Sequence, residues 1–311
     1  MDDYTDDVDL PSMPEPTGHC GYVAIVGRPN VGKSTLLNAI LGQKLSITAD
    51  KPQTTRHQII GIKTDGENQA VYIDTPGLHL NAQRAINRYM NRAASSVLND
   101  VDVVVFVVQA LKWTDEDEAV LQRIRDENIP AILAVNKVDW VAEKERMLPY
   151  LQTLGEKHSF HSIVPISARK KQNIEQLESV ITDCLPKNWP IYPEEQVTDR
   201  SIRFLAAELL REKLVRELAQ ELPYQTTVEI ESFKEEEKLT RIGALIWVEN
   251  NGQKSIIIGK QGSRLKSMSS KARIDMEALL ERKVFLQVWV KVRQGWSDDV
   301  RALASLGYED Q

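Results

Sequence analysis

The chain has 311 residues, 42% of them hydrophobic and 27% charged, a balance that excludes disordered and fibrous classes and leaves room for two ordinary globular domains. No apolar run approaches the roughly 20 residues of a membrane span, and the N-terminus lacks the basic-then-apolar layout of a secretory leader, so a cytoplasmic location is expected. The net charge of −6 hides a basic window over residues 252–293, where ten Lys/Arg face three acids, and such a surplus predicts a polyanion surface.

The first 20 residues carry six acids (Asp2, Asp3, Asp6, Asp7, Asp9 and Glu15), no Lys or Arg, and Pro11, Pro14 and Pro16. That composition predicts a disordered tail over 1–19. Cys20 and Cys184 are far apart and at no metal-ligand spacing, so two reduced thiols are expected. The apolar run from Tyr22 to Val26 predicts a buried strand, and Thr35 to Leu41 the start of a helix. Between them stands Gly27-Arg28-Pro29-Asn30-Val31-Gly32-Lys33-Ser34, which fits the phosphate-binding loop G-x-x-x-x-G-K-[ST]. Glycines let successive backbone N–H groups turn inward, and the following helix N-terminus adds partial positive charge. Lys33 would reach the outer phosphates, and Ser34 would offer its hydroxyl to Mg²⁺.

Residues 50–57 are polar, contain Pro52 and follow no period, which predicts a loop before a strand at Ile59 to Lys63. A loop threonine opposite the phosphates can ligate Mg²⁺ and donate its N–H to the γ-phosphate. Thr54 and Thr55 compete for that role, and Thr55 is preferred. Ala70 to Ile73 predicts a strand ending in Asp74-Thr75-Pro76-Gly77, where the carboxylate would hold a magnesium-bound water and Gly77 N–H the γ-phosphate. Asn81 to Asp100 has the spacing of an amphipathic helix, and Val101 to Val108 reads as a central parallel strand. Ala131 to Val135 is a further strand. It ends in Asn136-Lys137-Val138-Asp139, where a carboxylate at Asp139 can accept from guanine N1–H and its 2-amino group; adenine would leave that charge unpaired. Lys137 would lie over the base. A last strand, Ile163 to Ile166, leads to Ser167-Ala168-Arg169, placing the Ala168 N–H toward guanine O6.

These motifs, each at a strand end and in this order, resemble the nucleotide-binding motifs of the small GTPase fold over residues 20–185. The resemblance implies an α/β domain with a six-stranded, mostly parallel, doubly wound sheet, binding GTP and Mg²⁺. Ras-like proteins place a water-orienting glutamine after Asp-x-x-Gly. Here the position is Leu78, so the chain resembles the subgroup with an apolar residue there. In that subgroup an asparagine at the position of Asn30 helps hold K⁺, which implies K⁺-stimulated hydrolysis; Lys33, Thr55, Gly77 and Asn30 are the expected catalytic set.

Cys184 to Glu195 includes Pro186, Pro190 and Pro193, the profile of a linker, assigned to 186–199. Its length would span at most roughly 50 Å. Ser201 to Glu221 has helical spacing with Pro223 beyond it, Thr226 to Phe233 and Arg241 to Glu249 read as strands, and Asn250-Asn251-Gly252 as a turn. Gly259-Lys260-Gln261-Gly262 then stands between the apolar run Ile256-Ile257-Ile258 and a helix from Ser263 to Leu280, with a closing strand from Val284 to Val292. Two helices meeting at Gly-x-x-Gly can clamp about four nucleotides of single-stranded backbone. Ile257, Ile258, Gly259, Lys260, Gln261, Gly262, Arg264, Lys266 and Lys291 are the candidate RNA-binding residues.

Helix, two strands, helix, Gly-x-x-Gly, helix, strand resembles the α+β type II KH domain over 200–308. A KH domain after a GTPase domain is similar to the bacterial Era GTPase family, and Gln53-Thr54-Thr55-Arg56-His57, Glu221-Leu222-Pro223-Tyr224, Trp289-Val290-Lys291-Val292 and Gly295-Trp296-Ser297-Asp298-Asp299 carry the match. Ser269-Ser270 departs from the Ile-Gly type of pair more usual there. The resemblance implies a monomeric switch that binds the 3′ end of 16S rRNA during maturation of the 30S subunit, with peripheral association at the cell membrane. Two other readings are an RNA-binding scaffold with a structural nucleotide and a metabolic kinase; the guanine reader argues against the kinase.

Overall fold

The computed structural model describes residues 15–49, 51, 54–76, 89, 90, 97–218 and 222–296. Its first half is a six-stranded sheet in the order β2-β3-β1-β4-β5-β6: β1 (Cys20–Val26), β2 (Ile59–Asp65), β3 (Asn68–Asp74), β4 (Val103–Gln109), β5 (Ala131–Asn136) and β6 (Ser162–Pro165). Only the β2–β3 pair is antiparallel. Val103 to Val108 are buried on both sides, as a strand covered by helices on each face requires. Helices α1 (Lys33–Leu41), α2 (Asp115–Glu127), α3 (Met147–Gly155) and α4 (Ile174–Cys184) supply that cover. The mostly parallel GTPase-type sheet expected from the motifs is therefore present. Of the helix expected from Asn81 to Asp100, most lies outside the described residues; Tyr89 and Met90 are buried, and 97–100 form a 3₁₀ turn.

The second half holds α5 (Ile202–Glu217), β7 (Thr226–Glu235), β8 (Leu239–Val248), α6 (Asn251–Ile258), α7 (Ser263–Leu280) and β9 (Lys283–Val292). Strand β8 is central, antiparallel to β7 and parallel to β9. Leu210, Leu214, Ile246, Ile257, Met268 and Met276 join one apolar cluster between the helices and one face of this sheet. The order is that of the KH domain predicted from the sequence. One reading is corrected: Asn250 to Gly252 is not a free turn, because α6 starts at Asn251 and the Asn250 side chain caps it, accepting from Gln253 N at 3.0 Å. Asparagine serves both uses, since its carbonyl satisfies an orphan helix N–H.

Two expectations about chain ends and tethers also change. His19, assigned to the tail, donates its backbone N–H to Asn68 Oδ1 at 2.8 Å, and Gly18 O accepts from Asn188 N at 3.1 Å. The linker is strapped down. Ile62 N donates to Val197 O at 2.7 Å, Thr198 Oγ1 to Ile60 O at 2.7 Å, and Gln69 Nε2 to Tyr192 O at 2.8 Å. The cause is the edge position of β2, whose outward ladder groups need partners that the linker supplies.

Candidate nucleotide site and nucleic-acid interface

The phosphate loop joins β1 to α1. Gly32 has φ 106°, and a Cβ there would stand 2.3 Å from Asn136 Nδ2, so only glycine lets the loop pass the base-reading strand. Asn30, at φ 63°, occupies the left-handed region that asparagine tolerates. Lys33 is buried, with Nζ donating to Gly27 O at 2.8 Å and Arg28 O at 3.1 Å. Burial lowers its pKa to about 8, with the Asp74 carboxylate opposing the shift. Arg28 is buried too, and its Nε donates to Asp117 Oδ2 at 3.0 Å. Asp117 also accepts from Thr114 N at 3.0 Å in the capping box of α2, so a helix start holds the loop in place. Nothing in the loop motif singled out Asp117, although Thr114-x-x-Asp117 carries the capping spacing.

The three expected metal residues are together. Ser34 Oγ lies 2.7 Å from Thr55 Oγ1 and donates to Asp74 Oδ2 at 2.7 Å. Thr55 Oγ1 reaches the same carboxylate at 3.5 Å. Asp74 Oδ1 is buried without a hydrogen-bond partner, and burial raises the carboxyl pKa against Lys33 and the hydroxyls. Two hydroxyls beside an orphaned buried carboxylate oxygen form a hard oxygen set suited to Mg²⁺. Ser46, which the sequence reading missed, also donates to Asp74 Oδ2 at 2.8 Å; Asn38 on α1 fixes it by accepting from Leu45 N and Ser46 N, each at 2.9 Å. Thr54 turns the other way, with Oγ1 on Lys51 O at 2.6 Å. Thr75 Oγ1 donates to Ile25 O at 3.0 Å, back into the sheet. Gly77 and Leu78 lie outside the described residues; Pro76 ends the described segment.

At the base end, Asn136 Nδ2 donates to Val31 O at 2.8 Å, tying β5 to the phosphate loop, and its Oδ1 accepts from Lys137 N at 2.8 Å and Ala168 N at 3.0 Å. The Ala168 N–H expected at guanine O6 is thus already engaged by Asn136. Asp139 Oδ1 accepts from Ser167 Oγ at 2.6 Å. Lys137 Nζ donates to Asn30 O at 2.7 Å and stands 4.6 Å from the centre of the Trp140 ring. Asn30, Gly32, Thr35, Asn136, Asp139 and Arg169 line a cleft of about 600 Å³. A smaller cavity around Lys33, Ser34 and Thr55 adjoins it, sharing Asn30, Gly32, Thr35, Thr48 and Ala49. Trp140, outside every motif, also lines the cleft.

The loop carrying Thr55 is bonded to the second domain. Arg211 of α5 donates Nη2 to Thr54 O and grips Glu208 through Nε at 2.6 Å and Nη2 at 2.7 Å. Lys51 caps the end of α5 by donating to the carbonyls of Val215 and Leu218, a favourable place for a cation. Arg56 Nη1 donates to Thr226 O at 2.8 Å. The His57 ring meets Phe204 edge-on at 5.3 Å, and burial drives its pKa down to about 3, so it is neutral.

In the second domain, Gly259 has φ 71°, and a Cβ there would stand 2.8 Å from Arg264 Cβ. Gly262 and Gln261 also have positive φ, so the loop is a tight left-handed turn. Lys260, Gln261, Arg264 and Lys266 are exposed around it. Two candidate RNA-binding residues are corrected. Ile257 is fully buried in the domain core, because helical periodicity turns it toward Met268 while Ile256 faces solvent. Lys291 lies on the sheet face away from the helices: β9 alternates, with Val284 and Val290 inward and Phe285, Gln287, Trp289 and Lys291 outward. Ile258 is half-buried at the rim.

Residues 22–137 match the 50S ribosome-binding GTPases, and residues 221–297 match the KH domain. The GTPase Era of Ectopseudomonas mendocina is 59% identical over 95% of this chain and 99% of its own length. The chain belongs to the Era family of GTPases. The GTPase Era of Pseudomonas syringae pv. tomato is 60% identical over 94% of the chain and 97% of its own. Among solved structures, a point variant of Aquifex aeolicus Era bound to GDP·AlF₄⁻ superposes at TM-score 0.91 with 37% identity, covering 94% of this chain and all of that one. Era in complex with MgGDPNP and nucleotides 1506–1542 of 16S ribosomal RNA gives 0.91 and 38% over the same shares. Membership makes the protein a GTPase and decides against the scaffold and kinase readings.

Proposed function

We propose that the protein is a GTP-operated switch that binds single-stranded RNA at the 3′ end of 16S rRNA and assists 30S assembly in the cytoplasm. The observation that carries the switch is the adjacency of Thr54 and Thr55. Thr55 turns its hydroxyl to the Ser34–Asp74 cluster, while the carbonyl one residue earlier is held by Arg211 of the KH-domain helix. A change at the γ-phosphate therefore reaches the second domain through one peptide unit. The RNA assignment is supported by the Gly259–Gly262 turn with its exposed Lys260, Arg264 and Lys266, and by the Era complex with 16S rRNA nucleotides.

In hydrolysis, the phosphate-loop N–H groups and Lys33 hold the β- and γ-phosphates while water attacks the γ-phosphorus and the bond to the β,γ-bridging oxygen breaks. Ser34, Thr55 and, through water, Asp74 would hold Mg²⁺, which neutralises phosphate charge when bound. Asn30, placed on the loop and lining both cavities, is the residue for K⁺; equal turnover in Na⁺ and K⁺ would remove that role. Association with a membrane would be peripheral, since no described helix is long and apolar enough to cross one, and vesicle co-sedimentation tests it. A monomer is expected, checked by light scattering. The central experiment compares RNA affinity of the full chain with GDP and with a non-hydrolysable GTP analogue. A difference of about fivefold or more supports the switch, on the order of ordinary allosteric couplings; equal affinities refute it.

A further inference from the structure

The cleft that holds the base reader is closed on one side by the second domain. Arg216, in the last turn of α5, lines it with Asn30, Thr35, Thr48, Asp139 and Trp140. Its Nε donates to Thr48 O, and its Nη2 to Thr48 Oγ1 and to Glu212 Oε1, each at 2.9 Å. Half of the side chain stays exposed, at 49%. Behind it, the Glu212 carboxylate, 0% exposed, also accepts from Lys44 at 2.5 Å and Lys213 at 3.1 Å, and Asp275 accepts from the same two lysines. Burial alone would raise the Glu212 carboxyl; Lys44, the Thr48 N–H and Lys213 outweigh it and hold the pKa below the usual carboxylate range. Two carboxylates thus face three cations, and the cluster carries one positive charge beyond neutrality. Of the three cations, Arg216 is the one that lines the cleft.

The cleft has a direction. Asp139 marks the base end and Thr35, in the first turn of α1, the phosphate end, so a nucleotide spanning them lays its ribose and α-phosphate past Thr48 and Arg216. We infer that Arg216 binds the nucleotide there, its guanidinium meeting the ribose–α-phosphate portion common to GDP and GTP, so that a KH-domain helix forms part of the nucleotide site. This rests on reading the cleft as the guanine-nucleotide site. The consequence is a second connection between the domains, beside the one through Thr54 and Thr55. Nucleotide occupancy of either kind ties α5 to the first domain, and the γ-phosphate acts on a helix already docked.

The test is dissociation of radiolabelled GDP and of a radiolabelled non-hydrolysable GTP analogue from the full chain, neither carrying a ribose fluorophore, because the ribose is the contacted group. Arg216→Ala is expected to speed release of both by the same factor, about tenfold for a charged hydrogen bond. Arg216→Lys, which keeps the charge and loses the fork, falls between. The salt dependence of release flattens in Arg216→Ala, and the nucleotide-free chain, where Lys44 and Lys213 still pair the Glu212 carboxylate, loses less melting stability than the nucleotide-bound chain. Release rates within about twofold of wild type overturn the inference. So does an effect confined to the GTP analogue, or one matched by a loss of stability without nucleotide. Asp139→Asn separates the two levels: if it leaves guanine preference intact, the reading of the cleft fails whatever Arg216 does.

Discussion

Replacing Arg211 with methionine tests whether the loop and α5 move as one. The Arg211 side chain is 1% exposed and that of Glu208 6%, and the two share a bidentate contact in the boundary between the domains. Burial alone would raise the Glu208 carboxyl; Arg211, with smaller help from Arg56, brings it below its ordinary value. Arg211→Met leaves that carboxylate buried without its main partner, which costs about 3–5 kcal/mol. Glu208→Gln/Arg211→Met removes both charges at nearly constant volume and is expected to restore at least half of the loss. The pH dependence has a definite sign. A depressed carboxyl pKa gives stability that is present above the unfolded value and lost as pH falls through the folded one, so the wild-type advantage over Arg211→Met shrinks in acid. Urea unfolding followed by tryptophan fluorescence at about pH 7.5 and about pH 4 reads the stability, and RNA affinity with GDP against a GTP analogue reads the coupling. The single variant should bring that affinity ratio toward one, because Thr54 O has lost its tie. A cost below about 1 kcal/mol, with the ratio unchanged, would refute the reasoning.

Lys33, with its pKa lowered to about 8, is charged below that pH and regains a high pKa beside phosphate. GDP binding should therefore take up a proton near pH 8.5, and affinity should fall by up to about tenfold per pH unit above 8; calorimetry in buffers of different ionisation enthalpy reads the uptake, and none at that pH contradicts it. Gly259→Asp combines a strained left-handed position with a negative charge beside Lys260 and Arg264, and RNA binding in a gel-shift titration should weaken by more than about tenfold; Gly259→Ala, strain alone, should weaken it less. His57, neutral with a pKa of about 3, refuses a proton that the unfolded chain accepts below its ordinary 6.5. Stability should drop by about 1.4 kcal/mol per pH unit from 6.5 toward 3, and urea midpoints of His57→Gln should lose one proton's worth of that slope. Inserting four Gly/Ser residues after Glu194 should leave the GDP-to-GTP-analogue ratio of RNA affinity within about twofold, whereas a ratio falling to one would make the linker itself the transmitter.

The nucleotide site was legible because its chemistry is backbone chemistry. A loop that must curl around phosphate needs Gly32, and a base reader needs a carboxylate three residues beyond Asn136, so spacing alone carries the information. What escaped was held by contacts distant in sequence. Asp117 grips Arg28 from 89 positions away, and Ser46 reaches Asp74 only because Asn38 bends the loop. In the KH domain the motif located the turn at Gly259, but periodicity had to be carried further than the motif. Ile257 falls on the inward side of α6 and Lys291 on the outward side of β9. Gly77 and Leu78 fall outside the described residues.

Helix α5 explains why these long-range contacts converge. An ordinary surface helix buries one stripe and wets the other, yet Glu208, Arg211, Glu212 and Lys213 are buried along with Leu210 and Leu214. The apolar side packs on its own domain, and the charged side takes the loop from 44 to 57. Charges that pair among themselves along the helix are completed by that loop, through Lys44, Thr48, Lys51 and Thr54. A tether of roughly 50 Å reach would allow wide separation, but the linker lies along the β2 edge as far as Arg200, whose Nη2 donates to Gln58 O at 2.6 Å. Freedom between the domains begins after that residue. Any rearrangement must then break the polar contacts of α5 with the loop, so the energy of those contacts, and not the length of the linker, sets how strongly nucleotide state is felt at the Gly259 turn.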